Sequence, residues 1–434
     1  VYFVYRYRWD CALMLQYSYH LIFADTPYTI RFPAYERTGA HMTYILHNCR
    51  IIDGISNQPR TGVDVIVNGT VIVGIEPTRP RHPHEGTIID GSTHTLMPGL
   101  IDCHAHYTLD PWAANPFTQI ASEPVGMTML RAARTARDGL YAGITTVRDA
   151  GAPHQLNFVL RDAINAGLIP GPRILAPGCA ITITGGHGIT FGVEADGMHE
   201  LQRAVRAQMR DGADVIKIVA SEAAMLTGPE AGVEELTQDE ITMLVQEARR
   251  RGLRIFSHAQ NSTSVIRSAR AGVDSVEHAF LANAEAIATL RTHNITLTPT
   301  LAVTQVTLER DDLTPAFRER MLRIREQHWW SCEEAIRQGV NVVASTDCGE
   351  PCIYPSLLWR DICLLHDRGL SRMDAIKAAT SRAAALLGVA SQVGSIEVGK
   401  QADIILVAGN PADDLTCLAN VALVMKAGEV VYRP

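Results

Sequence analysis

Between residues 43 and 97, apolar and polar positions alternate over short stretches. These are Tyr44–Ile52, Val63–Val67 and Val71–Ile75, with Asn68-Gly69 between the last two. A period of two in β-branched residues predicts strands, and Asn-Gly between two such runs predicts a hairpin. From Pro98 onward, apolar strands alternate with amphipathic helices. The strands read as 98–105, Thr145–Arg148, Arg173–Ala176, Val215–Val219, Arg254–Ser257, Ser275–Glu277, Thr296–Thr300 and Val340–Ser345. The segments between them carry the 3.6-residue period of helices. Thr237 and Glu240 form a capping box ahead of the apolar face Ile241, Leu244, Val245 and Ala248, and Leu201, Val205 and Met209 line a second helix. After a capped helix over Ser371–Leu387, strands return at Ile404–Val407 and Val421–Val431.

Eight strand–helix repeats over residues 98–388 predict an α/β fold, a (β/α)8 barrel. Residues 42–97 and 389–434 are expected to join in one composite β-sandwich domain beside it. Residues 1–41 differ from the rest, being rich in Tyr and Phe, and they read as an atypical N-terminal extension outside the fold, with the natural start near Met42. A secretory leader fits poorly there, because Gln16, Tyr17, Ser18 and His20 interrupt the apolar stretch.

Composition narrows the function classes. With 47% hydrophobic residues and 20% charged residues the chain reads as a globular enzyme-sized protein, and a net charge of −7 argues against a nucleic-acid or anionic-membrane surface. No apolar run reaches the roughly 18 residues of a membrane span. The nine cysteines form no CxxC pair and read as reduced thiols of a cytoplasmic protein. No strand is followed by GxGxxG, which removes the main dinucleotide reading.

Functional residues of a barrel sit where its strands end. Strand one ends in His104 and His106, two positions apart and so on one face. Strand four carries Lys217 inside an apolar run, and strands five, six and eight end at His258, His278 and Asp347. Each has an ordinary alternative: a hydrogen-bonded surface histidine, an aspartate capping a helix, a lysine reaching along apolar surface to water. Together, four histidines, a lysine and an aspartate at five strand ends point to a metal site. The lysine fits that site chemically. Desolvation lowers an amine's pKa, and the neutral amine can capture carbon dioxide as a carbamate that bridges two cations. Two cations sharing that bridge and a hydroxide supply Lewis acid and nucleophile together.

At these residues the chain resembles the metal-dependent amidohydrolase superfamily, over roughly residues 43–434. The matching motifs are Pro98-Gly-Leu-Ile-Asp-Cys-His-Ala-His106, Gly143-Ile-Thr-Thr-Val-Arg-Asp-Ala-Gly151 and Ala375-Ile-Lys-Ala-Ala-Thr380. Gly185-Gly-His-Gly188, Glu194-Ala-Asp-Gly197, Gly212-Ala-Asp-Val-Ile-Lys217 and Gly272-Val-Asp-Ser-Val-Glu-His278 are similar to the prolidase-like branch of dipeptidases and N-acyl-amino-acid amidases, the ochratoxin-hydrolysing amidases among them. The resemblance implies that His104, His106 and Asp347 bind the more buried of two divalent metal ions, with zinc as the first expectation. It implies that His258 and His278 bind the second, and that carboxylated Lys217 bridges both. Asp347 would pass a proton from the bridging hydroxide to the leaving amine, and His187 would donate to the substrate carbonyl or carboxylate. An alternative for His187 is a loop histidine without a role.

The implied reaction is amide hydrolysis of a dipeptide or an N-acyl or N-aroyl amino acid, a small-molecule substrate with a free carboxylate. The alternative is hydrolysis of a urea, carbamate or anilide xenobiotic at the same site. A homo-oligomer is also implied. Two segments depart from the branch, Ser221-Glu222-Ala223-Ala224 and Cys348-Gly-Glu-Pro-Cys352. Both are expected to face the substrate. Cys103 is expected to point into the core by strand alternation, and Cys348 and Cys352 to line the mouth.

Overall fold

The computed structural model describes residues 42–227 and 233–434, and the N-terminal extension lies outside the described residues. The first strands are β1 (Thr43–Ile51), β2 (Arg60–Asn68), β3 (Val71–Pro77), β4 (Thr87–Asp90) and β5 (His94–Pro98). There follow β6 (Leu100–Ala105), β7 (Ile144–Asp149), β8 (Arg173–Leu175), β9 (Ala180–Thr182) and β10 (Gly192–Glu194). Then come β11 (Val215–Val219), β12 (Arg254–Asn261), β13 (Ser275–Leu281) and β14 (Thr296–Thr298). The last are β15 (Ile404–Ala408), β16 (Val421–Lys426) and β17 (Glu429–Tyr432).

The first and last described strands meet in one sheet, ordered β17-β16-β15-β5-β1-β2-β3 with β4 also on β1. The seam is antiparallel, Leu96 opposite Leu406 and Met97 opposite Ile405. A single sheet stands where a sandwich implies two. Its buried face gathers Leu46, Ile51, Val65, Ile72, Leu96, Ile404, Leu406 and Met425. Burying each large aliphatic side chain of that set contributes about 1.5–3 kcal/mol. The expected hairpin joins β2 to β3, but Asn68 is still paired, opposite Val71. The two turn residues are therefore Gly69, at φ 59°, and Thr70.

The central strands run parallel in two sheets, β6-β7-β8 and β10-β9-β11-β12-β13-β14. β11 and β6 are buried at every position, as expected of strands covered on both faces. The expected eighth strand, Val340–Ser345, is not a regular strand. It is an extended segment with an isolated bridge from Val342 to Leu297. Its backbone bonds β14 on one side (Val343 N to Leu297 O, 3.1 Å) and β6 on the other (Cys103 N to Ala344 O, 3.3 Å). Among the described residues the ladders do not close into a continuous barrel. They part at this segment, whose Ala344 amide bonds the Ala378 carbonyl of the helix behind it, and again between β8 and the sheet of β9 and β11.

That helix is itself divided. The single helix expected over Ser371–Leu387 is two, Arg372–Ala378 and Ser381–Leu387. The carbonyls of Ala378 and Ala379 accept from Ala344 N (3.0 Å) and Ile101 N (2.8 Å). Carbonyls spent on the strands are lost to the helix ladder, and the backbone turns at Thr380 (φ −136°, ψ −98°).

The helices after the central strands begin on side-chain caps. Asn261 and Asn283 accept from Ser264 N and Ala286 N at the ends of β12 and β13. The capping box forms as expected, Thr237 Oγ1 accepting from Glu240 N and Glu240 accepting from Thr237 N at 2.9 Å. Ile241, Leu244, Val245 and Ala248 of that helix are buried. Removing the cap with Thr237→Ala is expected to cost about 1 kcal/mol, read as a lower denaturant midpoint with an unchanged slope. A neutral result would show that packing alone holds this helix.

Candidate metal centre and active site

His104 and His106 leave the C-terminal end of β6 on one face, their ring centroids 5.5 Å apart. Asp347 reaches the same point from the segment after Val342. Its amide donates to the His104 carbonyl at 2.8 Å. Its backbone is left-handed, φ 57°, which turns the carboxylate back over the strand ends. Asp347 Oδ1 lies 3.5 Å from His104 Nε2 and 3.8 Å from His106 Nε2. These three side chains are buried, and their ligand atoms lie within 4.8 Å of one another, a spacing that can hold one metal ion.

Lys217, His258 and His278 complete the circle. Lys217 sits in the middle of β11, only 2% exposed, with its amine 4.9 Å from the Phe256 ring. The rings of His258 and His278 are 4.6 Å apart, and His278 is 4.8 Å from His104. The structure thus brings all six expected ligands to the wall of one pocket. The pocket also holds His187, whose ring lies 4.4 Å from that of His258.

Hydrogen bonding fixes which nitrogen each histidine presents. His104 Nδ1 donates to Glu277 Oε2 at 2.8 Å, and His106 Nδ1 donates to the Gly151 carbonyl at 3.1 Å. Thr300 gives its hydroxyl proton to the Pro299 carbonyl, so its oxygen accepts from His278 Nδ1 at 2.8 Å. The His258 ring is hydrogen-bonded to the Glu222 backbone, and its Nε2 is buried with no partner. An orphaned imidazole nitrogen facing other donors is what a metal-binding pocket requires. The residues present fit divalent cations.

Electrostatics agree with that fit. Burial holds the His104, His258 and His278 imidazoles well below their ordinary pKa, so they are neutral and free to coordinate a cation. Burial also lowers the Lys217 amine, against the pull of Glu277 and Asp347. Desolvation raises the Asp347 carboxyl. His187 is pushed down to about 4, first by burial and then by the Lys217 charge.

Several residues that shape this site were not singled out by the sequence reading. Glu277 is fully buried, bonds His104 and accepts from Arg148 Nη2 at 2.9 Å and from Ser275 Oγ at 2.5 Å. Arg148 is itself buried and also bonds the Cys103 carbonyl at 2.7 Å. Glu235 accepts from the His187 amide at 2.7 Å and so positions that loop. The signal that picked out Lys217, a charged residue inside an apolar strand, also marks Arg148 and Glu277. Of the two departing segments, Ala223 and Glu350 reach the pocket. Cys103 is buried with Val343 and Ala383, away from the histidines. Cys348 lies in the main core and does not line the mouth, and Cys352 lines a separate outer cleft with Trp112 and Tyr354. Strand alternation carries Cys348 inward because Ala105 pairs with it.

Glu277 is buried between a cation and a ligand histidine, so its charge sets the orientation and basicity of His104. Glu277→Gln is expected to weaken retained metal by about 10–100-fold, measured by competition with a chelator. Unchanged retention would show that His104 is oriented by packing alone.

The amidohydrolase family profile matches residues 95–431. The ochratoxinase of Aspergillus niger is 27% identical over 411 residues, which cover 87% of this chain and 84% of that protein. A solved Xaa-Pro dipeptidase with methionine bound in its active site superposes with a TM-score of 0.81 at 29% identity, over 90% of this chain and 100% of that one. Phenylurea hydrolase B, at 22% identity and a TM-score of 0.74, shares the fold over 90% of this chain and 97% of its own. With the family profile spanning most of its length and relatives of these two kinds, the chain belongs to the amidohydrolase family, in its prolidase and ochratoxinase branch.

Proposed function

We propose that this protein is a binuclear metal-dependent hydrolase that cleaves the amide bond of a dipeptide or of an N-acyl or N-aroyl amino acid. The observation that carries the reading is the convergence of four neutral imidazoles on one pocket with a buried lysine and a buried aspartate. In this reading residues 98–388 act as a (β/α)8 barrel, the segment at Val342 serving as its eighth strand. Residues 42–97 and 389–434 form the composite β-domain beside it.

His104, His106 and Asp347 would hold one cation and His258 and His278 the other, with zinc the first expectation for nitrogen and oxygen donors of this kind. The neutral Lys217 amine would attack carbon dioxide, forming an N–C bond and releasing one N–H proton to solvent, and the carbamate so formed would be an anionic ligand available to both cations. Bound here, the divalent cations polarise the scissile carbonyl and lower the pKa of the attacking water.

The chain's own residues do the rest. Asp347, raised by burial, takes a proton from the attacking water and gives it to the leaving amine. His187 stands beside His258 and donates a hydrogen bond to the substrate carbonyl. Glu235 holds the His187 backbone in place for this. The named substrates of the relatives, ochratoxin and Xaa-Pro dipeptides, support an amide bond flanked by an amino-acid unit.

Metal content per chain on protein purified without added metal tests the reading. About two ions are expected in the parent, and both metal content and amidase activity are expected to collapse in Lys217→Ala. A single ion indifferent to Lys217→Ala would rule out the carbamate bridge.

A further inference from the structure

Six of the side chains lining the pocket are the proposed ligands, and Phe191, Val219, Met225, Phe280 and Val303 make an apolar wall. No arginine lines it, and its lysine is Lys217. Gln260 is held by the Ala224 amide, and the ionisable residue without a role is Glu350, in the segment where the chain departs from the branch pattern. It is partly exposed at the pocket's rim. Among the described residues its carboxyl has no hydrogen-bond partner; burial and the neighbouring Asp347 push it up to about 8, against the pull of Arg310, so a cation brought to it would ionise it.

Glu350 is not on a loose loop. Its amide donates to the Asp347 carbonyl at 3.4 Å, and its carbonyl accepts from Ile353 N at 2.9 Å. Gly349 N donates to the Ile353 carbonyl, and Cys352 N donates to the Pro111 carbonyl at 2.9 Å. Gly349 allows this close turn at φ 116°, where a Cβ would lie 2.6 Å from the His106 carbonyl. A carboxyl held by a closed turn beside the site is preorganised to meet a group on the substrate.

The cavity among the ligands is about 40 Å³, room for ions and the reacting atoms, so the remainder of a substrate lies against the rim. We infer that Glu350 pairs, as a carboxylate formed against it, with the free α-ammonium group of a dipeptide, so that the enzyme selects peptides with an unblocked amino terminus over N-acyl amino acids. This rests on the amide-hydrolase reading above and narrows its substrate class. A carboxylate binds an ammonium through a charge-assisted hydrogen bond and offers nothing comparable to an acyl group. A site built to bond one group discriminates against the analogue lacking it.

The test compares Ala-Leu with N-acetyl-Ala-Leu on the full chain, for the parent, Glu350→Gln and Glu350→Asp. The parent is expected to favour the free amine, and the ratio of kcat/KM for the two peptides to fall about 30-fold in Glu350→Gln. Glu350→Asp retains part of that preference. Each ratio is taken within one protein, so losses of folded or metal-loaded enzyme cancel. A ratio unchanged in Glu350→Gln, or a parent that prefers the acetylated peptide, overturns the inference, because glutamine keeps the shape of the carboxyl without its charge. Ketomethylene isosteres of the two peptides, titrated by calorimetry, give the same ratio without turnover. If the parent cleaves neither peptide, the amide-hydrolase reading fails and the isosteres decide separately. A free-amine preference that disappears in Glu350→Gln sustains the role of Glu350, and equal binding overturns it.

Discussion

Everything at this site follows from putting ionisable groups where water cannot stabilise them. Lys217, His104, His258 and His278 are each 4% exposed or less and share one pocket, and Glu277, fully buried, stands behind it on His104. Burying a bare charge costs several kcal/mol, so each group must be neutral, paired or bound to a metal. The imidazoles take the first route. Glu277 takes the second, between the Arg148 guanidinium and the His104 ring. For Lys217 neither route is complete, since Glu277 and Asp347 act on it through space without a bond to it. An amine in that position gains most by becoming a ligand.

The same constraint reaches the backbone. His278, Ala279, Thr300 and Asp347 all have φ between 48° and 72° without being glycine. Such residues cost about 1–3 kcal/mol each and persist where their surroundings over-determine them. Here His278 is held by Thr300, and Asp347 by the His104 carbonyl. Asp102 fixes the approach to Asp347, accepting from the Thr346 amide at 3.0 Å and its hydroxyl at 2.5 Å. At His278 and Asp347 the left-handed turn brings the side chain into the common pocket.

This explains what could be read from the chain and what could not. His104 and His106 were legible because a period of two puts them on one face, and Lys217 because a charge in an apolar run demands a reason. The eighth strand was legible as an apolar run but not as an irregular segment. Its ladder is interrupted where the Ala344 amide bonds the Ala378 carbonyl, a long-range partner with no local signature. The helix break at Ala379-Thr380 has the same origin. Thr300 and Glu235 serve the site through a hydroxyl and a backbone amide, and nothing near them in sequence marks either.

Ligands and specificity residues also differ in what holds them. The histidines and Lys217 stand on or at the ends of strands whose neighbours fix them through ladders, so the residue types at those positions are dictated by one chemistry. The rim is built from loops, where backbone geometry is set locally and side chains can differ without disturbing the ladders. Glu350 combines the two conditions. Its turn is closed on itself and tied to the Asp347 backbone, giving it the rigidity of the strand ends. Its side chain projects from a segment that departs from the branch pattern, so its identity is free to set which peptide enters. A rigid carboxylate at a variable position is therefore where substrate choice is expected to be made, with the catalytic pocket behind it unchanged.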